Sequence, residues 1–230
     1  MILVSGDSWS CGSWYNAQLT SSGISGCMID HGLSVINLGI PGGSNLDVTR
    51  SLKTFLQQNT HINVSLLVVF QTEYTRELEL VYQSIDAGYC YTMQQTVAKF
   101  YTELDKLGIK TLLIGGASDT WSPNLVQKDY PNLHVVCQSM TNFVINNTPD
   151  IKDPVLSTYS QNTFEIVEAM KKHGNNADNQ ELVCAMDQGG QRLLSWGGAN
   201  IAQWPDGFHP AQECHAKLFD YINYQNFLKV

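Results

Sequence analysis

The stretch VSLLVVF at residues 64–70 is a near-continuous apolar run. A strand that is apolar on both faces is typical of a parallel sheet with helices packed on each side. Shorter apolar runs at 2–5, 34–38, 109–116 and 133–137 predict four more strands. Helical patterns separate several of these runs. Alternating strands and helices favour an α/β fold, a doubly wound sheet of five mostly parallel strands.

The helix signals are strongest in two segments. Residues 44–59 begin with Ser44 as a candidate N-cap and Asp47 as the acidic member of a capping box. A second helix is predicted over 92–107, where Gly108 supplies a stop signal. Further helices are predicted over three segments, 14–21, 163–172 and 211–228. Because no linker, internal repeat or low-complexity tract interrupts the chain, we expect a single domain over residues 1–230.

The composition limits the classes of partner. The chain is 43% hydrophobic and 15% charged, which is a globular balance, and its net charge is −8. No basic run is present, which argues against a nucleic-acid partner and against an anionic membrane surface. No apolar stretch is long enough to span a bilayer, and the N-terminus lacks the pattern of a signal peptide. We therefore expect a cytoplasmic protein, and the sequence does not indicate an oligomeric state.

The six cysteines show no CxxC pair and no regular spacing. Scattered free thiols, most of them buried, are the simplest interpretation in a reducing compartment. No HExxH motif or Cys/His cluster has the spacing of a metal site. We therefore expect neither a metal nor an organic cofactor.

The clearest indication of catalytic chemistry is a serine with a possible general base elsewhere in the chain. Ser8 follows the first predicted strand within SGDSWS (5–10), and loops at the carboxyl ends of parallel strands line the ligand crevice. A serine needs a base to act as a nucleophile. Near the other end of the chain, Asp206 and His209 are three residues apart in DGFHP, where a short turn brings a carboxylate to an imidazole. The sequence therefore predicts a Ser-His-Asp arrangement.

These motifs resemble those of the SGNH (GDSL-type) hydrolases. The family's first block is the GDS serine, its second a glycine after the second strand, here Gly42 within NLGIPGGSN (37–45), and its fifth the DxxH pair. The resemblance implies a flavodoxin-like three-layer α/β/α sandwich. It also implies that Ser8 is the nucleophile, His209 the base and Asp206 the orienting acid. The backbone N–H groups of Ser8 and Gly42 would bind the oxyanion. The implied reaction is hydrolysis of a small acyl ester, with an O-acetylated carbohydrate as one candidate.

The family's third block departs from its usual pattern. The family places an asparagine after the third strand as a further oxyanion donor, whereas this chain reads FQTEYTRE (70–77). Gln71 or Thr72 could replace that donor, and Glu73 ionised could not. Loss of one donor costs roughly 10²–10³ in rate. We expect a slow or specialised enzyme if no replacement exists.

Other residues of these loops are candidates for substrate contact. They are Trp9, Glu73, Arg76 and Trp204. Aromatic rings beside the nucleophile suit an apolar acyl group or a sugar ring. Ordinary core packing of the tryptophans and a surface ion pair of Arg76 with Glu77 are the structural alternatives. Asn45 is interpreted as a residue that starts a helix, and His215 as a structural residue that faces away from the site.

Two other classes of function stay open. A non-catalytic ligand-binding module on the same fold would explain the missing asparagine. A phosphate- or nucleotide-binding protein could use the helix that begins after GGSN (42–45). That second hypothesis leaves the pairing of Asp206 with His209 unexplained, so the ester hydrolase is the preferred hypothesis.

Overall fold

The computed structural model describes residues 1–15, 18–72, 87–116, 120–121, 123–146, 149 and 209–228. Its strands, in chain order, are β1 (Ile2–Ser5), β2 (Ser13–Tyr15), β3 (Gln18–Ser21), β4 (Val35–Asn37), β5 (Leu66–Gln71), β6 (Thr111–Gly115) and β7 (Leu133–Cys137). Its helices are α1 (Ser8–Cys11), α2 (Gly23–Asp30), α3 (Asn45–Gln58), α4 (Ala87–Asp105), α5 (Pro123–Asp129), α6 (Met140–Asn146) and α7 (Gln212–Tyr224).

Five strands form one parallel sheet in the order β4-β1-β5-β6-β7. Val4 of β1 lies opposite Asn37 on one side and Val68 on the other. After β1 the chain forms β4 at one edge of the sheet, and it then returns to place β5 on the other side of β1. This is the flavodoxin-like order, whose ligand crevice lies where the direction of winding reverses, between β1 and β5.

Helices cover both faces of the sheet. Alternate side chains of each strand point to opposite faces, so Val4 and Phe70 enter one core cluster and Leu3 and Val69 enter the other. The first cluster includes residues of α2, α6 and α7, and the second includes residues of α3, α4 and α5. The predicted three-layer α/β/α architecture is confirmed.

One local prediction is wrong and two are right in kind but have other bounds. Residues 14–21 are not a helix, because β2 and β3 pair there as an antiparallel hairpin. The helix predicted over 92–107 begins earlier, at Ala87. The last helix ends at Tyr224 rather than at residue 228, and Asn226 then takes the left-handed conformation with φ 59°. The helix predicted over 163–172 lies outside the described residues.

Strong local signals agree with the structure. Ser44 is the N-cap of α3, and the reciprocal bonds of a capping box join it to Asp47. Gly108 follows α4 with φ +66°, which a stop signal requires. Within the described ranges, no helix has the length and apolar character needed to cross a membrane.

Candidate active site

Gly6 brings the backbone after β1 close against the neighbouring strand. A Cβ atom at this position would lie 2.7 Å from Phe70 Cβ and 2.9 Å from Ser10 Cβ. The φ angle of Gly6 is +149°, which side chains rarely adopt. The glycine of the GDS motif is therefore required by packing, and it starts the turn that carries Ser8.

Asp7 and Ser8 begin the short helix α1. Asp7 is the N-cap, and its carboxylate accepts a hydrogen bond from the Trp9 N–H at 3.0 Å. Ser8 is the first helical residue, and the first N–H groups of a helix have no partner inside the helix. The Ser8 N–H is therefore of the kind that can bind an anion, as the predicted oxyanion role needs.

Ser8 and His209 meet although 201 positions separate them in sequence. The distance from His209 Nε2 to Ser8 Oγ is 2.9 Å. The Ser8 hydroxyl donates this hydrogen bond when the imidazole carries its proton on Nδ1. A nucleophile and a base within hydrogen-bond distance satisfy the first geometric requirement for an activated serine. The structure thus brings together two of the three residues predicted for the triad.

Trp14 contacts both members of the pair. Its indole N–H donates to the Ser8 carbonyl oxygen at 2.8 Å. The centre of its ring lies 5.5 Å from that of the His209 imidazole, with an angle of 35° between the planes. Trp14 sits on β2, in the hairpin that replaces the predicted helix. It therefore fixes the backbone at Ser8 and provides a wall for the imidazole.

Gly42 lies in a tight turn beside the GDS loop. The Gly43 N–H donates to the Ile40 carbonyl at 2.7 Å, and Gly42 has φ +73°. Proline and then glycine at the two central positions are the signature of a type II turn. The Ile40 N–H donates to the Gly6 carbonyl at 2.9 Å, so this turn is attached to the loop of Ser8. The turn accounts for Gly42, and its oxyanion role stays a prediction.

The two candidates for the third oxyanion donor make contacts within the protein. The Thr72 hydroxyl donates to the Gly43 carbonyl at 3.2 Å. The Gln71 side chain is fully buried, and its Oε1 accepts a hydrogen bond from the Tyr101 hydroxyl at 2.6 Å. Neither contact points to a role at Ser8. The Thr72 contact weighs against the predicted use of its hydroxyl as a replacement donor, whereas the Gln71 contact involves only its acceptor oxygen, so a donor role of the Gln71 amide stays a prediction.

Asn45 starts α3, as expected, and has a second role that sequence reasoning missed. Its Nδ2 donates to the Thr72 carbonyl at 3.1 Å, and its Oδ1 accepts from the Thr72 N–H at 3.1 Å. Asn45 is buried. This pair of hydrogen bonds joins the loop after β4 to the end of β5. Asparagine is common at helix starts, so its presence in the sequence does not indicate a bond to a distant strand.

Two further amide side chains hold the surroundings of the pair. Asn37 donates through Nδ2 to the Ser10 carbonyl at 2.8 Å and to Ser25 Oγ at 2.9 Å. Gln212 lies three residues after His209, and its Oε1 accepts from Ser21 Oγ at 2.5 Å. These contacts attach α1 to α2 and the start of α7 to the hairpin. No sequence motif indicated either residue.

Cys11 is a competing nucleophile by position, since it lies in α1 with Ser8. Its thiol donates to the Asp7 carbonyl at 3.3 Å. Burial, together with the nearby Asp7 carboxylate, raises the pKa of the Cys11 thiol to about 11. A thiol with such a pKa is protonated at neutral pH and is a poor nucleophile. This leaves Ser8 as the better candidate. Cys11 and Cys27 are free thiols, and Cys137 and Cys214 are buried.

The predicted substrate contacts have different outcomes. Trp9 is fully buried in a core cluster, which weighs against the predicted contact with substrate and agrees with the alternative of core packing. Asp206, Glu73, Arg76 and Trp204 lie outside the described residues.

His215 is a core residue, in agreement with its interpretation as structural. It is fully buried in α7, and its ring lies 6.2 Å from that of Phe70. Burial lowers the pKa of His215 to about 4, and a contact with the Gly12 backbone partly offsets this shift. The imidazole is therefore neutral near pH 7.

The start of α3 is poorly suited to a phosphate group. Asp47 lies in its first turn, and its carboxylate accepts hydrogen bonds from the Ser44 N–H at 3.0 Å and the Ser44 hydroxyl at 2.9 Å. These bonds lower the pKa of Asp47, so it is ionised at neutral pH. An ionised carboxylate at this position repels a phosphate, which disfavours the nucleotide-binding hypothesis. Over the described part of the chain, no group of three or more His, Cys, Asp or Glu residues could hold a metal ion.

The comparisons with known proteins add no assignment. No family model matches the chain, and no curated protein matches its sequence. The class of site therefore rests on the contact between Ser8 and His209 and on the fold around it.

Proposed function

We propose that this protein is a serine ester hydrolase of the SGNH type that acts through an acyl-enzyme on a small acyl ester. The observation that carries the proposal is the 2.9 Å contact between Ser8 Oγ and His209 Nε2. The position of Ser8 supports it, since the residue follows β1 at the point where the winding of the sheet reverses. This substrate class includes O-acetylated carbohydrates and esters of longer aliphatic acids.

In the proposed reaction, Ser8 Oγ attacks the carbonyl carbon of the ester, and its proton passes to His209 Nε2. The negative charge that develops on the carbonyl oxygen is bound by the N–H of Ser8 and, in this proposal, that of Gly42. The carbon–oxygen bond to the alcohol then breaks, and His209 returns the proton to the departing oxygen. Water repeats the sequence on the acyl-enzyme and releases the acid. Asp206 is proposed to orient His209.

Reaction with a fluorophosphonate probe tests the proposal directly, because the probe modifies only an activated serine. We expect the wild-type protein to be labelled, and Ser8→Ala and His209→Ala to lose labelling. Ser34→Ala and His61→Ala are matched controls, since both side chains are exposed and lie outside the site. Both controls should be labelled at the wild-type rate.

Absence of labelling in a folded wild-type protein would overturn the proposal and favour the non-catalytic binding module. Labelling that persists in Ser8→Ala would place the reactive group elsewhere. A thermal unfolding curve for each variant separates loss of the nucleophile from loss of the fold.

A further inference from the structure

An open groove lies beside the candidate active site. Its volume is about 430 Å³, which is within the range of small-molecule sites. It runs between the β2–β3 hairpin, α2, β4 and the loop after β4. The side chains that give it an apolar surface are Cys11, Trp14, Leu19, Ile29, Val35 and Pro41. Leu19 and Ile29 are 52% and 53% exposed, and they belong to one contiguous apolar patch rather than standing singly on the surface.

The side chains of Asn37 and Trp14 in the groove are bonded within the protein, whereas Ser22 is exposed and its side chain makes no capping bond to α2. Asn37 donates both amide hydrogens, to the Ser10 carbonyl and to Ser25 Oγ, and its Oδ1 accepts from the Gly39 N–H at 2.8 Å. The Trp14 N–H is held by the Ser8 carbonyl. None of the described residues that line the groove is charged. Such a surface favours an uncharged, aliphatic ligand over a sugar, which needs available donors and acceptors.

Two residues that line the groove lie beside the pair, although neither Ser8 nor His209 lines it. Trp14 lines the groove and also contacts the Ser8 carbonyl and the His209 ring. Cys11 lines the groove and lies one helical turn after Ser8, a rise of about 4.5 Å along α1. An acyl chain attached to Ser8 Oγ would have to pass Trp14 or Cys11 to enter this groove.

We propose that the groove holds the aliphatic acyl chain of the substrate, so that the enzyme prefers medium-length acyl esters to acetyl esters. This inference rests on the proposed ester hydrolysis and specifies its acyl group. Burial of additional methylene groups in an apolar site raises kcat/KM, by about tenfold or more for a well-placed group.

The test compares kcat/KM for methyl octanoate and methyl acetate. We expect the wild-type protein to prefer the octanoate by at least about tenfold. Ile29→Arg places a charge in the groove at a half-exposed helix position, and it should abolish that preference. Leu125→Arg is the matched control, because Leu125 is 56% exposed on α5 and lies outside the groove. It should keep the wild-type ratio. Leu19→Arg is a second groove variant if Ile29→Arg does not fold.

Three other outcomes would overturn the assignment of the groove to the acyl chain. An unchanged ratio in both groove variants would remove the groove from substrate binding and leave the proposed hydrolysis intact. If octyl acetate is preferred to methyl octanoate and Ile29→Arg abolishes that preference, the groove holds the alcohol chain instead. If no ester is hydrolysed and the fluorophosphonate probe does not label Ser8, both the hydrolysis and the groove assignment fail.

Discussion

Gly6 has no room for a side chain, and Gly6→Ala tests how much this close packing contributes to stability and to the position of Ser8. The added Cβ would meet Phe70 Cβ at 2.7 Å, the Phe70 carbonyl oxygen at 2.9 Å and Ser10 Cβ at 2.9 Å. All three are backbone atoms or atoms fixed directly to the backbone. A rotamer change therefore cannot relieve the contacts, and the turn that carries Ser8 has to move.

The size of the effect follows from two contributions. Overpacking in a dense interior costs about 1–3 kcal/mol, and a rare backbone conformation costs about 1–3 kcal/mol more. We expect Gly6→Ala to lower the free energy of unfolding by about 2–6 kcal/mol. Gly108→Ala is the matched control, because Gly108 also has positive φ, +66°, but nothing lies within 4 Å of its added Cβ. Its cost should be only about 1–2 kcal/mol.

Urea unfolding of the two variants measures the difference, and probe labelling measures its effect on Ser8. A shift of about 1 Å in the position of a reacting group costs about 10²-fold in rate, so Gly6→Ala should label far more slowly than wild type. Equal unfolding free energies for the two variants would refute the close contact with Phe70. A destabilised Gly6→Ala that labels at the wild-type rate would refute the link between Gly6 and the position of Ser8.

Two further predictions concern the buried side chains of Asn45 and His215. Asn45→Ala removes both hydrogen bonds to the Thr72 backbone, and we expect a loss of about 1–3 kcal/mol in unfolding free energy and slower labelling. Asn59→Ala, which removes one bond at the other end of α3, should cost less and leave labelling unchanged. The pKa of His215 is about 4 in the folded protein, below its ordinary value of 6.5, so the unfolded chain binds a proton first as pH falls. Between about pH 7.5 and pH 5, the free energy of unfolding of the wild-type protein should therefore fall by about 2 kcal/mol more than that of His215→Leu, measured by urea unfolding at both pH values. An equal fall in the two proteins would contradict the burial argument.

The central sheet could be predicted from sequence because its signal is local. Every residue of β5 is buried, and the run at 66–70 within it is apolar without interruption. The capping box at Ser44 is equally local, since its two bonds join residues three apart. Such features are decided by a few neighbouring residues, and they do not depend on the rest of the fold.

The elements that were missed depend on contacts between distant segments. Helix α2 contains Gly23 and Gly26, which lower its intrinsic propensity, but it buries Ile24 and Met28 against the sheet and α7. In the hairpin, Trp14 pairs with Leu19, and neither β2 nor β3 has more than four residues. Tertiary packing overrides propensity in the helix, and cross-strand pairing decides the hairpin.

In the candidate site, too, some residues could be predicted from local motifs and others could not. The GDS and DxxH motifs predicted that Ser8 and His209 would meet, because their chemistry needs those residue types. The side chains that hold the loops in place, Asn37, Asn45 and Gln212, bond to backbone atoms or to generic polar groups. Such contacts leave no motif, since any amide can make them and the partner backbone has no sequence identity.

A common chemical requirement explains why these holding residues are amides. Asn37 and Asn45 each donate from Nδ2 and accept at Oδ1 within one side chain. An aspartate at either position would offer two acceptors and no donor, and would bring a negative charge toward a carbonyl oxygen. A neutral amide is therefore the side chain that supplies the donor and the acceptor that each loop needs.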